Sequence, residues 1–176
     1  MTAFDICFAS IIKAEGGFVN DSRDSGGVTN LGVTMRAWAA WVGHPVTPGD
    51  MRVLTPPMVA PFYRANYWNP VHGDNLPTAL GLVLFHCAVN AGPARAAKLL
   101  QGIVGTVPDG ALGPATLAAV RKRIEARVSG LGDLVHEFQD ALRAYYRSLH
   151  NFDAFGKGWE NRANDVEKQA IRMIAP

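Results

Sequence analysis

The sequence predicts a mostly α-helical chain of the α+β class, with one small β-hairpin near its N-terminus. Three observations predict it. Apolar residues recur at helical spacing along most of the chain, and clusters of Gly, Pro, Asn and Asp punctuate it at short intervals. A single stretch, residues 17–34 (GFVNDSRDSGGVTNLGVT), instead mixes turn residues with short β-type pieces.

The elements follow in order. Phe4, Phe8, Ile11 and Ile12 form one apolar stripe of a first helix, which Gly16 and Gly17 stop. Residues 17–34 read as a hairpin or irregular loop, with the β-type piece at 28–33. A second helix spans 35–42, capped by Thr34 and ended by Gly43. HPVTPGD (44–50) reads as a connector. Thr55-Pro56-Pro57 opens a third helix reaching Tyr67, since a capping Thr followed by proline is a good helix start. WNPVHGDNLP (68–77) is loop. The next helix, 78–90, is apolar on all sides, which predicts a central, buried element. Gly92-Pro93 breaks the chain. Helices are then predicted over 94–104, 114–127, 133–150 and 159–174, with a loop at 105–113 and a glycine break at Gly130 and Gly132. No repeat or low-complexity linker is present.

Composition bounds the function. The 176 residues are 48% hydrophobic and 18% charged, enough for a packed core and against disorder. A net charge of +2 suits an anionic polymer without singling one out. Cys7 and Cys87 fall in apolar helical stretches and read as buried thiols, not a disulfide framework. The N-terminus has an early Asp5, no basic region and no unbroken apolar run, so no signal peptide is expected. No window reaches the ~20 apolar residues of a membrane span. Cytoplasmic synthesis follows, with a separate carrier if the substrate lies outside the membrane. The five histidines show no HExxH spacing, and no GxSxG elbow or Gly-rich phosphate loop occurs. Arg121, Lys122, Arg123 and Arg127 read either as a solvated helix face or as a contact for an acidic polymer.

Glu15 stands out by position. It follows Phe8, Ile11 and Ile12 at helical spacing and so lies on the apolar stripe, in the last turn of its helix. Desolvation and the negative end of the helix dipole both disfavour its ionised form. A carboxyl kept protonated near neutral pH is suited to protonating a leaving sugar oxygen. The other reading is a Glu whose head reaches solvent beside the glycine stop. Asp21 and Asp24 follow in the loop, then Thr29 and Asn30. Asp24 lies nine residues past Glu15 across a glycine-permitted reversal and could face it, completing a carboxylate pair. Equally, Asp21, Ser22, Asp24 and Ser25 could simply build turns. Trp68, preceded by Tyr63 and Tyr67, is the ring candidate for a sugar-lined cleft, and Asn90 the amide candidate. Trp38 and Trp41 read as core.

EGGFVNDSRDSGGVTNLGVT (15–34) resembles the signature of the glycoside hydrolase 108 family, bacterial and phage N-acetylmuramidases with a lysozyme-like fold. YRANYWNPVHGDNLP (63–77) and AVNAGPARAAKLLQ (88–101) resemble later segments of the same family. LLQGIVGTVPDGALGPATL (99–117) resembles its predicted peptidoglycan-binding region, with a DG-x-x-GP-x-T core at 109–116, and FGKGWENR (155–162) resembles its C-terminal end. The likeness covers nearly the whole chain in order. It places the family's catalytic Glu on Glu15 and, by similarity to phage-type lysozymes, implies catalytic roles for Asp24 and Thr29. At His86 the family run often carries an acidic residue; a hydrogen-bonded core histidine is expected here.

The resemblance implies a lysozyme-like fold in which two helical lobes flank a cleft. Residues 1–93 form a catalytic lobe and 94–176 a helical lobe resembling a peptidoglycan-binding region, packed together as one unit. The implied reaction is endolysin-like hydrolysis of the β-1,4 bond after N-acetylmuramic acid, for wall lysis and release of phage or phage-like particles. Glu15, Asp24 and Thr29 are the catalytic set; Asn30, Tyr63, Trp68 and Asn90 bind substrate. No cofactor or metal is needed, since proton transfer and electrostatics suffice. The expected partners are peptidoglycan glycan strands and a holin or other export route. Neither nucleic acid nor stable membrane insertion is expected, and the chain is expected to be a monomer acting in the periplasm or cell wall. The rival reading is a non-enzymatic wall-binding or secretion-assisting protein; an effector injected into competitors would use the same chemistry.

Overall fold

The structure, a computed structural model, describes residues 1–20 and 27–174. It is mostly helical with a two-stranded antiparallel hairpin, the lysozyme-like class expected. Two compact units divide it, Met1–Ala65 and Asn66–Pro176.

The first unit holds α1 (Ala3–Ala14), β1 (Thr29–Asn30), β2 (Val33–Thr34), α2 (Met35–Val42), α3 (Pro48–Arg52) and α4 (Pro56–Tyr63). A capping box opens α1: the Thr2 hydroxyl accepts the Asp5 N–H at 3.2 Å, and the Asp5 carboxylate accepts the Thr2 N–H at 2.7 Å. These bonds hold the Asp5 carboxyl below its usual range. The stripe on α1 is buried at Phe4, Cys7, Phe8 and Ile11. Phe4 stacks on Phe8 at 5.4 Å between centroids, and Phe8 tilts against Tyr63 of α4 at 5.5 Å. Phe62 receives the edges of Trp38 and Trp41. Trp38 is core as expected, whereas Trp41 stays 41% exposed, because only one face of the short α2 packs inward.

The hairpin pairs Thr29 with Thr34 and Asn30 with Val33, around a two-residue turn in which Leu31 (φ 50°) and Gly32 (φ 75°) are both left-handed. That conformation matches the strand twist of a tight hairpin. Val19 exchanges both backbone hydrogen bonds with Thr29, at 2.8 and 2.9 Å. The buried Asn30 amide donates to the Met51 carbonyl at 2.7 Å, tying β1 to α3. α3 itself corrects the expected connector. Pro48 and Gly49 sit inside its first turn because Thr47 and Asp50 form a second capping box, which offsets their poor helix propensity.

α4 ends at Tyr63 and the backbone widens into a π-helical stretch, Arg64–Trp68, so the predicted helix through Tyr67 is present in two forms. The second unit continues with α5 (Thr78–Ala91), α6 (Pro93–Val104), α7 (Pro114–Glu125), α8 (Gly130–Arg147) and α9 (Phe152–Ile174). Every residue of α5 from Ala79 to Ala88 is buried, because α6, α8 and α9 all pack on it. This is why the helix shows no polar face. Its Cys87, like Cys7 of α1, is a buried free thiol, and burial pushes each thiol up to about 12.

Two predicted boundaries are overturned. Gly130 and Gly132 do not break the chain but open α8: a Cβ at Gly130 would run into the carbonyls of Ile124 and Arg123, so close approach explains this glycine. α9 starts seven residues earlier than expected, at Phe152, and takes Gly156 and Gly158 into its length. A Cβ at Gly156 would strike the Phe152 ring. α8 and α9 are joined by polar pairs: Arg143 to Glu167 at 2.7 Å, His136 to Glu167 at 2.5 Å, and Arg147 to Glu160.

The DG-x-x-GP-x-T core closes the α6–α7 loop around one buried amide. Gln101 Nε2 donates to Asp109 at 2.7 Å and to the Ala111 carbonyl at 2.9 Å, while its Oε1 accepts the Gly110 N–H at 2.9 Å. A buried amide is stable only when so satisfied, which accounts for the spacing of this motif without a ligand.

His86, in the middle of α5, is 5% exposed. Burial, helped by the Arg162 guanidinium, pushes it down to about 4 from an ordinary 6.5. It is therefore neutral in the fold, as a core histidine must be. Its unfolded form binds a proton below about pH 6.5, whereas its folded form does so only near pH 4. Its contribution to stability is thus full above pH 6.5 and is lost as pH falls through this window, by about 3 kcal/mol at most. Urea melts at pH 7 and pH 4.5 test this: the parent should lose more stability than His86→Gln. Equal losses would contradict a neutral buried His86.

Candidate active site

In the first unit α1 runs out at Ala14, and Glu15 is its C-cap. The Glu15 backbone turns extended (φ −82°, ψ 148°) while its N–H still bonds the Ile11 carbonyl at 2.9 Å. The residue is thus one position beyond the last helical turn expected, yet still at the carbonyl end of the helix. Its side chain is half-buried and extends over the hairpin turn. A methyl group placed on Gly32 would lie 2.7 Å from Glu15 Oε2 and would also overlap the Tyr63 hydroxyl. Carboxyl and phenol therefore converge on the one turn residue without a side chain. Tyr63 Oη donates to the Leu31 carbonyl at 2.8 Å, and its ring, 1% exposed, is fixed by Phe8 and Phe62. The arrangement holds a half-buried carboxyl at a helix end, over a hairpin turn and beside a phenol hydroxyl.

The other sequence-predicted residues fall as follows. Thr29 is half-buried on β1, beside the backbone bridge to Val19. Asp21 and Asp24 lie outside the described residues. Asn30 spends its amide on Met51 and serves the hairpin. Tyr63 offers no ring face but places its hydroxyl beside Glu15. Trp68, expected to stack a sugar, is enclosed: it is 0% exposed, its indole N–H donates to Asp74 at 3.0 Å, its ring meets Phe85, and Gly73 and Gly81 lie against it. A ring with no free face is not a platform. Trp68 and Asn90 belong to the second unit. Asn90 is exposed at the end of α5; its Nδ2 donates to the His86 carbonyl at 2.7 Å and its Oδ1 accepts from Arg162.

Two features escaped the sequence reading. Gly32 was legible only as a turn residue, though the Leu31-Gly32 pair between β-type pieces was the available signal. The aromatic residues Tyr145, Tyr146 and Trp159, which surround a cavity beside Asn90, carried no signal beyond their helical spacing. Among the described residues no group of three or more His, Cys, Asp or Glu could hold a metal, and no helix is long and apolar enough to cross a membrane.

A lysozyme-like fold with a carboxyl set on a helix end over a hairpin turn defines a class, the glycoside hydrolases. Comparison with known proteins agrees. Residues 8–92 match the family described as Glycosyl hydrolase 108, and residues 95–164 match the Predicted Peptidoglycan domain. The chain is similar to the solved structure of SagA from Brucella abortus, with 38% identity and a TM-score of 0.82, covering 97% of this chain and 94% of that one. Among curated proteins none matches. The chain belongs to the glycosyl hydrolase 108 family; it is a lytic enzyme that acts on peptidoglycan, which is its partner.

Proposed function

We propose that the protein is an endolysin-like N-acetylmuramidase. It cleaves the β-1,4 bond between N-acetylmuramic acid and N-acetylglucosamine by acid-assisted hydrolysis. Glu15 is the general acid that protonates the leaving sugar oxygen. Asp24 stabilises the oxocarbenium-like transition state or positions the attacking water, and Thr29 helps hold that water. The observation that carries this reading is the placement of Glu15: half-buried, at the carbonyl end of α1, with its carboxylate oxygen above Gly32 and beside Tyr63. The carbonyl end of a helix opposes an added negative charge, the direction that this chemistry needs. In the same reading, residues 1–93 carry the chemistry and residues 94–176 help hold the wall. Delivery to the wall needs a holin or comparable export route, and the biological role is release of phage or phage-like particles.

Product analysis tests the bond. Digestion of isolated cell walls should lower turbidity and release fragments whose new reducing ends are muramic acid, detected by borohydride reduction and mass spectrometry. New reducing ends at glucosamine would overturn the muramidase assignment. Binding to walls without any new reducing end would make the protein a wall-binding or secretion-assisting factor.

The second carboxylate has its own test. Asp24→Asn should lower kcat/KM by about 100-fold, the scale for removing one electrostatic stabiliser of a transition state. Asp21→Asn, three residues earlier in the chain, should change it by less than about threefold if Asp21 takes no part in the chemistry. A crippled Asp21→Asn beside a normal Asp24→Asn would exchange their roles. Two normal variants would leave Glu15 acting without a paired carboxylate.

A further inference from the structure

In the second unit a cavity of about 120 Å³ opens where the ends of α5, α8 and α9 meet. Its walls are Asn90, Ala91, Tyr145, Tyr146, Leu149 and Trp159. The aromatic rings are mutually fixed. Tyr146 lies 5.4 Å from Trp159, Tyr145 lies 6.0 Å from Tyr146, and Phe155, 57% exposed, is stacked beside Trp159 at 6.1 Å. Two guanidinium groups stand at this cluster. Arg95 covers the Tyr145 ring at 4.2 Å, and Arg162 donates to the Asn90 side chain.

Size and chemistry select the occupant. The cavity is small and open on one side, which suits a branch of a larger ligand. The walls are flat rings and one leucine, suited to a methyl group, with an amide at the edge. The exposed Phe155 beside Trp159 suits the apolar face of a pyranose. Arg162 carries five N–H donors, more than one amide oxygen can take, and a cation there suits a carboxylate. Of the two sugars of the wall glycan, only N-acetylmuramic acid can present a carboxylate beside its methyl-bearing acetamido group.

We propose that this cavity is a subsite for an N-acetylmuramic acid residue of the wall glycan that carries no stem peptide, with the acetamido group in the cavity, the ring against Phe155 and Trp159, and the free lactyl carboxylate on Arg162. It deepens the reading of the chain as a muramidase, since it rests on the glycan strand being the substrate. It also supplies a location for wall binding, with Tyr145, Tyr146, Leu149, Trp159 and Arg162 in the second family match, residues 95–164, and Asn90 and Ala91 in the first.

The test uses the full chain carrying Glu15→Gln, so that ligand is not consumed. Binding is followed by the indole signal of Trp159 in NMR titrations. One probe is the soluble disaccharide of N-acetylglucosamine and N-acetylmuramic acid; the other is chitobiose, which lacks the carboxylate. The first probe should shift the Trp159 signal at lower concentration than chitobiose. Adding Arg162→Gln should weaken the first by about tenfold, the scale of one charge-assisted hydrogen bond, and leave chitobiose unchanged. Adding Leu149→Phe, which fills the cavity, should weaken both. Thermal melting checks that each variant is folded; a Leu149→Phe that does not fold leaves Arg162→Gln to decide. Equal affinity of parent and Arg162→Gln for the muramyl probe overturns the proposal, as does an unmoved Trp159 signal. These outcomes separate from the muramidase reading. Parent protein that hydrolyses walls with Trp159 unmoved keeps the reading and removes the subsite. Parent protein that binds the probe but releases no muramic acid ends keeps the subsite and removes the reaction.

Discussion

Glu15→Gln is expected to fold and melt like the parent and to clear isolated cell walls at least about 100-fold more slowly. The magnitude is that of losing a general acid. The substitution keeps shape and length and removes only the titrating proton. The cap is retained, because the bond from residue 15 to Ile11 is made by the backbone N–H. A parent-like melting temperature with lost activity therefore assigns the defect to chemistry, not to folding. A Glu15→Gln protein that clears walls at close to the parent rate would remove Glu15 from the mechanism and leave the chain without its acid.

The second large effect is expected at Gly32, a residue that performs no chemistry. Gly32→Ala should lose about 1–2 kcal/mol of stability, because a Cβ is strained in the left-handed backbone at φ 75°. The larger consequence is at the site. The new methyl would overlap the Tyr63 hydroxyl and approach Glu15 Oε2. Tyr63 is fully packed and hydrogen-bonded to Leu31, so Glu15 is the group that moves. A 1 Å misplacement of a catalytic group can cost about 100-fold in rate. The expected pattern is a protein folded at 25 °C, with kcat reduced on that scale. A comparison with Gly27→Ala separates the causes: Gly27 is also left-handed, at φ 67°, but a Cβ there meets nothing within 4 Å. Gly27→Ala should cost stability with a much smaller loss of rate. Equal losses of rate in the two variants would show that backbone strain, not displacement of Glu15, is responsible.

The sequence determined more than the elements. The periodic stripe on α1 and the glycines after it fixed both the helix and the place of Glu15, because helical spacing and capping are local properties. The unbroken apolar text of residues 78–90 fixed a buried central helix for the same reason. Thr34 and Gly43 bounded α2 as read. The errors arose where local preference and long-range packing disagreed. Gly130 reads as a break but is needed for close approach to α7, and Gly156 sits within α9 against Phe152.

The site divides along the same line. That Glu15 stands at the carbonyl end of a helix was written in its own neighbours. Which groups meet it was not. Tyr63 is 48 residues away in the chain and Gly32 is 17, and no periodicity reports such distances. Trp68 shows the converse: a tryptophan among tyrosines, asparagine and proline has the composition of a sugar platform. Only the packing of Phe85, Gly73 and Gly81 around it reveals that both faces are taken. Sequence alone thus determined the class of chain, most of its helices and the candidate acid, because these depend on residue type and short spacing. Tertiary structure alone decided which aromatic rings stay open to a ligand and what surrounds the acid, because burial is set by residues far apart in the chain.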